Sequence, residues 1–418
     1  MKKILLTSIS LILIFTIGSS LAGCSTKVQA TDLMKNVIPN QVAELEDLSE
    51  QNADATDFAI RLFKASANGS GNTLISPLSV LYAIAMTANG AKGETRAQIE
   101  EVLGMSIGEL NLYLSTYANS LPKGKKYELS LANSLWLTED ERFTVEQSFL
   151  QTNADYYGAD IYKAPFDDRQ TVNDINNWVK NETDGMISDI IDKIPPEAVM
   201  YIVNALAFEA EWDDVYEKNQ VRAGIFTKEN GEKENVEMMY GSERVYLEDE
   251  NATGFVKYYS EGKYAFVALL PDEDISISEY IASLDGETVR SLLDNGKSVK
   301  VNTAIPKFNT AYDTEMSDLL VGMGMKNAFD PDYADFTGLG RSSDGNIFIS
   351  RVIHKTQIQV GEKGTKAGAS TVVEMANKMS ASPDKSKQVY LNRPFVYMLI
   401  DCENNIPFFI GAQTEINN

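Results

Sequence analysis

Residues 361–378 read GEKGTKAGASTVVEMANK, and the alternate positions Thr365, Ala367, Ala369, Thr371, Val373 and Met375 form the period-two apolar face of a strand. The intervening Lys366, Gly368, Ser370, Val372, Glu374 and Ala376 make the other face, and the first half is so small-sided and Gly-rich that it should be mobile when unpaired. Such a segment suits either a loop or a buried strand. A Gly/Ala/Ser-rich surface loop is the plain alternative. The flanks argue against the plain reading. Upstream, His354, Thr356, Ile358 and Val360 alternate with Ile353, Lys355, Gln357 and Gln359, a half-buried strand that feeds directly into the stretch. Downstream, Val389 to Ile400 reads as more strand. A long exposed loop is therefore slung between two core strands.

On these residues the chain resembles the inhibitory members of the serpin family. Their hinge is a Glu, a variable residue, Gly, Thr or Ser, a variable residue, a run of Ala, Gly and Ser, then Thr or Ser. Glu362, Gly364, Thr365, Ala367, Gly368, Ala369, Ser370 and Thr371 fill those positions as an inhibitor fills them.

With 418 residues and 44% hydrophobic composition, the chain can bury a large core as one large or two ordinary domains. The net charge of −23 makes nucleic acid, heparin-like polyanions and anionic headgroups poor partners. Acidity that simply keeps an exported protein soluble is the plainer account. Lys2, Lys3 and the apolar run Ile4 to Ile17 have the form of a Sec signal, too short for a spanning helix. Leu21-Ala22-Gly23-Cys24 resembles a bacterial lipobox, with Cys24 the lipidated N-terminus; a secreted form cut elsewhere is the alternative. Residues 25–51 are polar and without clear period, and read as a tether. Of the two cysteines only Cys402 then remains, so the mature fold contains no internal disulfide.

Phe58, Ala59, Leu62 and Phe63 place a first amphipathic helix over 53–67. Ser76 is a candidate N-cap with Pro77 at the first helical position, and the helix from Leu78 to Ala88 is apolar on most sides until Asn89-Gly90 stops it. Residues 129–137 and 201–212 read as buried strands, while Val172, Ile175, Trp178, Val179 and Ile187 share a helical face. The serpin resemblance takes in this block through Leu103-Gly104, then Asn133-Ser134, Trp136, Asn204, Trp212, Val236-Met238-Met239, Phe266 to Pro271, Ile305-Pro306-Lys307-Phe308 and residues 334–338, all in the family's order. It spans about residues 53–413. Glu209-Ala210 departs from the family's usual Lys-Gly. The resemblance implies that Ser76 and Ser79 lie under the place where a central sheet parts, and that His354 bonds Asn204 and Ser76.

His354 is the only histidine, so any Ser-His-Asp or Cys-His hydrolase would have to be built on it. Its place on the apolar side of a strand suits a core histidine. No Cys/His metal spacing or phosphate-binding glycine loop is present. Asp330, Asp332 and Asp335 lack the EF-hand's glycine and terminal Glu.

The implied fold is α+β, the serpin architecture of three β-sheets and about nine helices with an exposed reactive-centre loop. Its parts are a lipoprotein-type signal peptide over 1–23, a lipidated Cys24 and flexible tether over 24–52, and a serpin domain over 53–418. The implied function is suicide inhibition of a trypsin-like or elastase-like serine protease by a monomer without metal or cofactor, lipid-anchored on the outer side of a bacterial membrane or secreted. A non-inhibitory serpin acting as a surface binding module would carry charged or bulky inward hinge residues, which this hinge lacks. An envelope-anchored enzyme would need a catalytic base in a cleft. In the family the cut falls about sixteen residues beyond the hinge Glu, which puts Lys378 and Met379 at the scissile bond. The segment from Lys378 to Asn392 is longer than usual, so Met379-Ser380 is the nearest alternative and Met375-Ala376 another.

Overall fold

The computed structural model describes residues 28–67, 71–139, 143–183, 185, 187, 189–195, 198–343, 345–365 and 386–416. Alternating burial builds a seven-stranded sheet in the order Thr31–Asp32, Asp160–Ala164, Tyr127–Thr138, Met200–Glu211, Gly364–Thr365, Arg351–Gly361, Phe308–Glu315. A nine-stranded sheet lies behind it, in the order Lys387–Tyr390, Lys297–Pro306, Lys233–Glu248, Ala252–Tyr258, Tyr264–Pro271, Phe395–Asp401, Ile406–Gln413, Thr73–Ile75, with Val221–Thr227 branching onto Lys233–Glu248. Gly340–Ser342 and Phe143–Val145 form a third, two-stranded sheet, and nine α-helices surround the three among the described residues. The α+β architecture expected from the sequence is the one found.

The main core fills the space between the two large sheets and extends under the helices Ser49–Ser66 and Pro77–Ala88. Every residue of the second helix is buried, which its uninterrupted apolar run requires. A smaller core lies on the other face of the seven-stranded sheet. There the helix Arg169–Glu182 lays Val172, Ile175, Trp178 and Val179 on Trp136, Tyr201, Val203 and Ile353. Ile353 is thus buried on the face that reads as polar, because a helix covers it.

Two sequence readings need correction. The residues read as a flexible tether are, from 28 onward, a strap laid on the body. Gln29 and Ala30 donate their N–H groups to buried Asp174 Oδ2 at 2.8 and 2.7 Å, and Thr31–Asp32 pairs with Asp160–Ala164. Leu33, Met34, Val37, Leu45 and Leu48 each pack against the main core. Their irregular spacing follows the surface they cover, so no helical or strand period marks them. The stretch 389–400 is two strands, since Lys387–Tyr390 pairs in parallel with Lys297–Pro306 at one edge and Phe395–Asp401 lies inside the same sheet between Tyr264–Pro271 and Ile406–Gln413. Pro394, which has no N–H to give a ladder, stands at the break.

Candidate functional site

The seven-stranded sheet is split along its middle. Met200–Glu211 and Arg351–Gly361 pair in parallel over four positions only, from Arg351 opposite Tyr201 to His354 opposite Asn204. At the other end Gly364–Thr365 enters between them, with Gly364 opposite both Glu211 and Gly361 and Thr365 opposite both Ala210 and Val360. Between these two closures, residues 205–209 and 355–359 border a slot that no strand of the described residues enters.

The wedge at the open end is tightly held. A Cβ on Gly364 would run into the Ala210 carbonyl oxygen, so only glycine permits this approach. Thr365 is 1% exposed, and its hydroxyl lies 2.5 Å from the hydroxyl of the buried Tyr259. The three carbonyls just before it are all bonded from one short segment. Trp212 Nε1 donates to Gly361 O and Trp212 N to Lys363 O, each at 2.8 Å, and Tyr216 N donates to Glu362 O at 2.9 Å. Lys307 Nζ lies 3.0 Å from both Glu362 Oε1 and Glu237 Oε2. Burial acts to raise the pKa of Glu362, but a backbone N–H and the Lys307 ammonium outweigh it and hold the carboxyl below the usual range.

At the closed end His354 is 2% exposed and its Nε2 accepts the Ser76 N–H at 3.0 Å. Burial lowers its pKa to about 4, so the ring is neutral and an acceptor at physiological pH. Ser76 caps its helix by accepting the Ser79 N–H at 3.3 Å, as its sequence position predicts. The buried Ser79 hydroxyl has no hydrogen-bond partner among the described residues. Thr356 closes this floor by donating to Leu74 O at 2.7 Å. The backbone of Asn204 stands opposite His354 on one side and Asn133 on the other; its side chain lies outside what the structure describes. His354 therefore serves a backbone N–H, and among the described residues no hydrolase triad forms on it. No group of residues that could hold a metal ion occurs among the described residues.

A family profile described as Serpin (serine protease inhibitor) matches residues 53–416. The chain belongs to the serpin family. Its members are protease inhibitors and not catalysts at the level of the family. A serpin-like protein of Methanosarcina acetivorans is 29% identical over 96% of this chain and 95% of its own. The human leukocyte elastase inhibitor is 28% identical over 88% and 99%. The native-state crystal structure of tengpin, a thermophilic serpin, is 48% identical with a TM-score of 0.89, covering 93% of this chain and all of the other. The latent-state structure of that serpin scores 0.80, so this fold tracks the native form more closely.

Of the hinge positions, Glu362, Gly364 and Thr365 meet at the mouth of the slot beside Trp212, while Ser76, Ser79 and His354 meet at its floor. Ala367, Gly368, Ala369, Ser370, Thr371, Lys378, Met379, Ser380 and Cys24 lie outside the described residues. Sequence reasoning missed Tyr259 and Lys257, which stand against Trp212, and Tyr216 and Glu243, which stand against Lys257. Each lies in a stretch where a tyrosine or a charge reads as ordinary surface, and only the tertiary fold turns them inward.

Proposed function

We propose that this serpin is a suicide inhibitor of serine proteases that works by inserting its own cut loop into the slot. Strand addition to a sheet is a recognised use of a serpin's reactive loop. The observation that carries the reading is the register at the mouth. Continued from Thr365 opposite Ala210 and Val360, it would set an inserting Ala367 between Phe208 and Ile358, Ala369 between Leu206 and Thr356, and Thr371 between Asn204 and His354. Phe208, Ile358, Leu206, Thr356 and His354 are all buried. The small inward residues of the hinge are those that fit. Residues 366–370 enter without breaking any strand pairing, whereas Thr371 requires the His354 and Asn204 backbones to part.

A further strand of about ten residues adds on the order of ten ladder hydrogen bonds at roughly 1 kcal/mol each, besides side-chain burial. That is comparable with the 5 to 15 kcal/mol stability of an ordinary domain, enough to distort a protease tethered as its acyl-enzyme before water frees it. The counted scissile bond, Lys378-Met379, suits a protease whose specificity pocket carries a carboxylate, while Met379-Ser380 or Met375-Ala376 suits an elastase-like one. The kinship with an elastase inhibitor supports the protease class. Lipidation of Cys24 would place this activity on the outer face of a bacterial membrane.

The test is to mix the purified protein with trypsin or an elastase and look for a detergent-stable covalent adduct. Mass spectrometry of the released C-terminal peptide then fixes the bond. A fragment beginning at Met379 is expected; one beginning at Ser380 or Ala376 moves the bond and the target class. Cleavage without any adduct would refute inhibition by insertion.

A further inference from the structure

Lys257 is the one lysine or arginine that is fully buried among the described residues, at 2% exposure. It is the last residue but one of the strand Ala252–Tyr258, opposite Phe266 on one side and one residue past the last pair, Val245 with Val256, of the ladder to Lys233–Glu248 on the other. Its ammonium lies 2.9 Å from Glu243 Oε1, donates to Asp214 O at 3.1 Å, and stands over two rings, 4.5 Å from Tyr216 and 5.2 Å from Trp212. Glu243 is itself well buried, so the pair is desolvated on both sides. A lone lysine here would carry an uncompensated buried charge; this one has a carboxylate, a carbonyl and two π faces.

Those contacts fall on residues 212–216 and on Glu243. Trp212 and Tyr216 are the same two residues whose N–H groups hold the carbonyls of Gly361, Glu362 and Lys363. Trp212 also stacks on Tyr259 at 4.4 Å and 11°, and Tyr259 holds the Thr365 hydroxyl. The three bonds to the carbonyls of residues 361–363 thus come from a segment whose two aromatic rings rest on one ammonium.

We propose that Lys257, fixed by Glu243, is a positioning residue that latches the mouth of the slot and sets how long the uncut loop stays out of the sheet. Among the described residues its polar and ring contacts fall on Glu243, Asp214, Tyr216 and Trp212 and not on residues 361–365. It acts by keeping Trp212 and Tyr216 where their N–H groups reach residues 361–363. The proposal rests on the insertion reading, and deepens it by naming what restrains insertion until the loop is cut.

The experiment compares the wild-type chain with K257R, which keeps the cation, and with the double variant Lys257→Met and Glu243→Gln, which leaves no unpaired buried charge and so avoids the folding penalty of K257M alone. Each is held at a fixed temperature below unfolding. At intervals the fraction of full-mass protein that no longer traps trypsin and melts at a higher temperature is measured. The double variant is expected to convert at least about tenfold faster than wild type, the rate change that loss of a desolvated cation–π contact of ordinary strength gives. K257R is expected to convert within a few fold of wild type. If the double variant converts no faster, or K257R as fast as the double variant, the latch is overturned while insertion stands. If trypsin-cut wild-type protein gains no thermal stability, the insertion reading itself fails and the latch falls with it.

Discussion

Thr365 is the first loop side chain inside the sheet, 1% exposed and bonded to Tyr259, so a charge there has nowhere to go. Thr365→Arg is expected to turn the inhibitor into a plain substrate, because a buried unpaired guanidinium costs several kcal/mol. The loop should still be cut, without a stable adduct; unchanged stoichiometry of trapping would contradict insertion. His354 makes a second residue-scale prediction. Its folded pKa of about 4 lies below the ordinary value of 6.5, so below pH 6.5 the unfolded chain binds a proton that the folded chain refuses. The stability it contributes is complete above pH 6.5, declines as the pH falls toward 4, and levels off below that. The full loss is about 3 kcal/mol. Protonation also removes the acceptor that holds the Ser76 N–H. Urea midpoints should therefore fall between pH 7 and pH 5 in wild type, and the fall should shrink markedly in H354Q.

At the scale of the element, the slot predicts a two-residue rule for the hinge. Ala367→Glu would drive a carboxylate between Phe208 and Ile358 and should abolish trapping. Lys366→Glu, on the face shared by exposed Gln357 and Gln359, should change it little; equal effects from the two would show that the register does not continue past Thr365. Much of this was legible in sequence. A period-two run of small residues, an N-cap followed by proline at Ser76-Pro77, and a lone histidine on the apolar side of a strand each declare themselves locally. The strap was illegible because its apolar residues are spaced to fit grooves made by other elements. The Lys257 and Glu243 pair was illegible for a related reason. They stand on neighbouring strands just beyond the end of the ladder that joins those two strands, and a lysine in FVKYY looks solvated until the tyrosine and tryptophan from residues 212–216 fold over it.

For the whole molecule, a slot that no strand of the described residues fills means that the strands beside it lack, among those residues, a set of hydrogen bonds they can still make. Cutting the loop is expected to raise the melting temperature strongly, whereas an ordinary nicked loop leaves it unchanged or lower; a cut sample melting at or below the intact one would rule out this account. The strap is held at its start by Asp174, which accepts two of its N–H groups. Asp174→Ala should speed hydrogen exchange of the amides at 29–33 by roughly one to two orders of magnitude, the equivalent of about 1–3 kcal/mol of lost local protection. Exchange at wild-type rates would mean that the packing of Leu33, Met34 and Val37 is sufficient by itself. Docking of the strap has a consequence for a lipidated Cys24. Only residues 25–27 then separate the anchor from a chain already fastened to the body, a leash of about 10 Å at full extension. That is close to the Debye length of about 8 Å at physiological ionic strength, so the acidic body of this chain, whose full sequence has net charge −23, would hang within the electrostatic reach of any anionic leaflet yet be pushed from it. On the proposed function, such an anchored inhibitor would act as a sentry for the last few nanometres above the lipid, intercepting proteases that come to the surface and leaving those in the bulk alone.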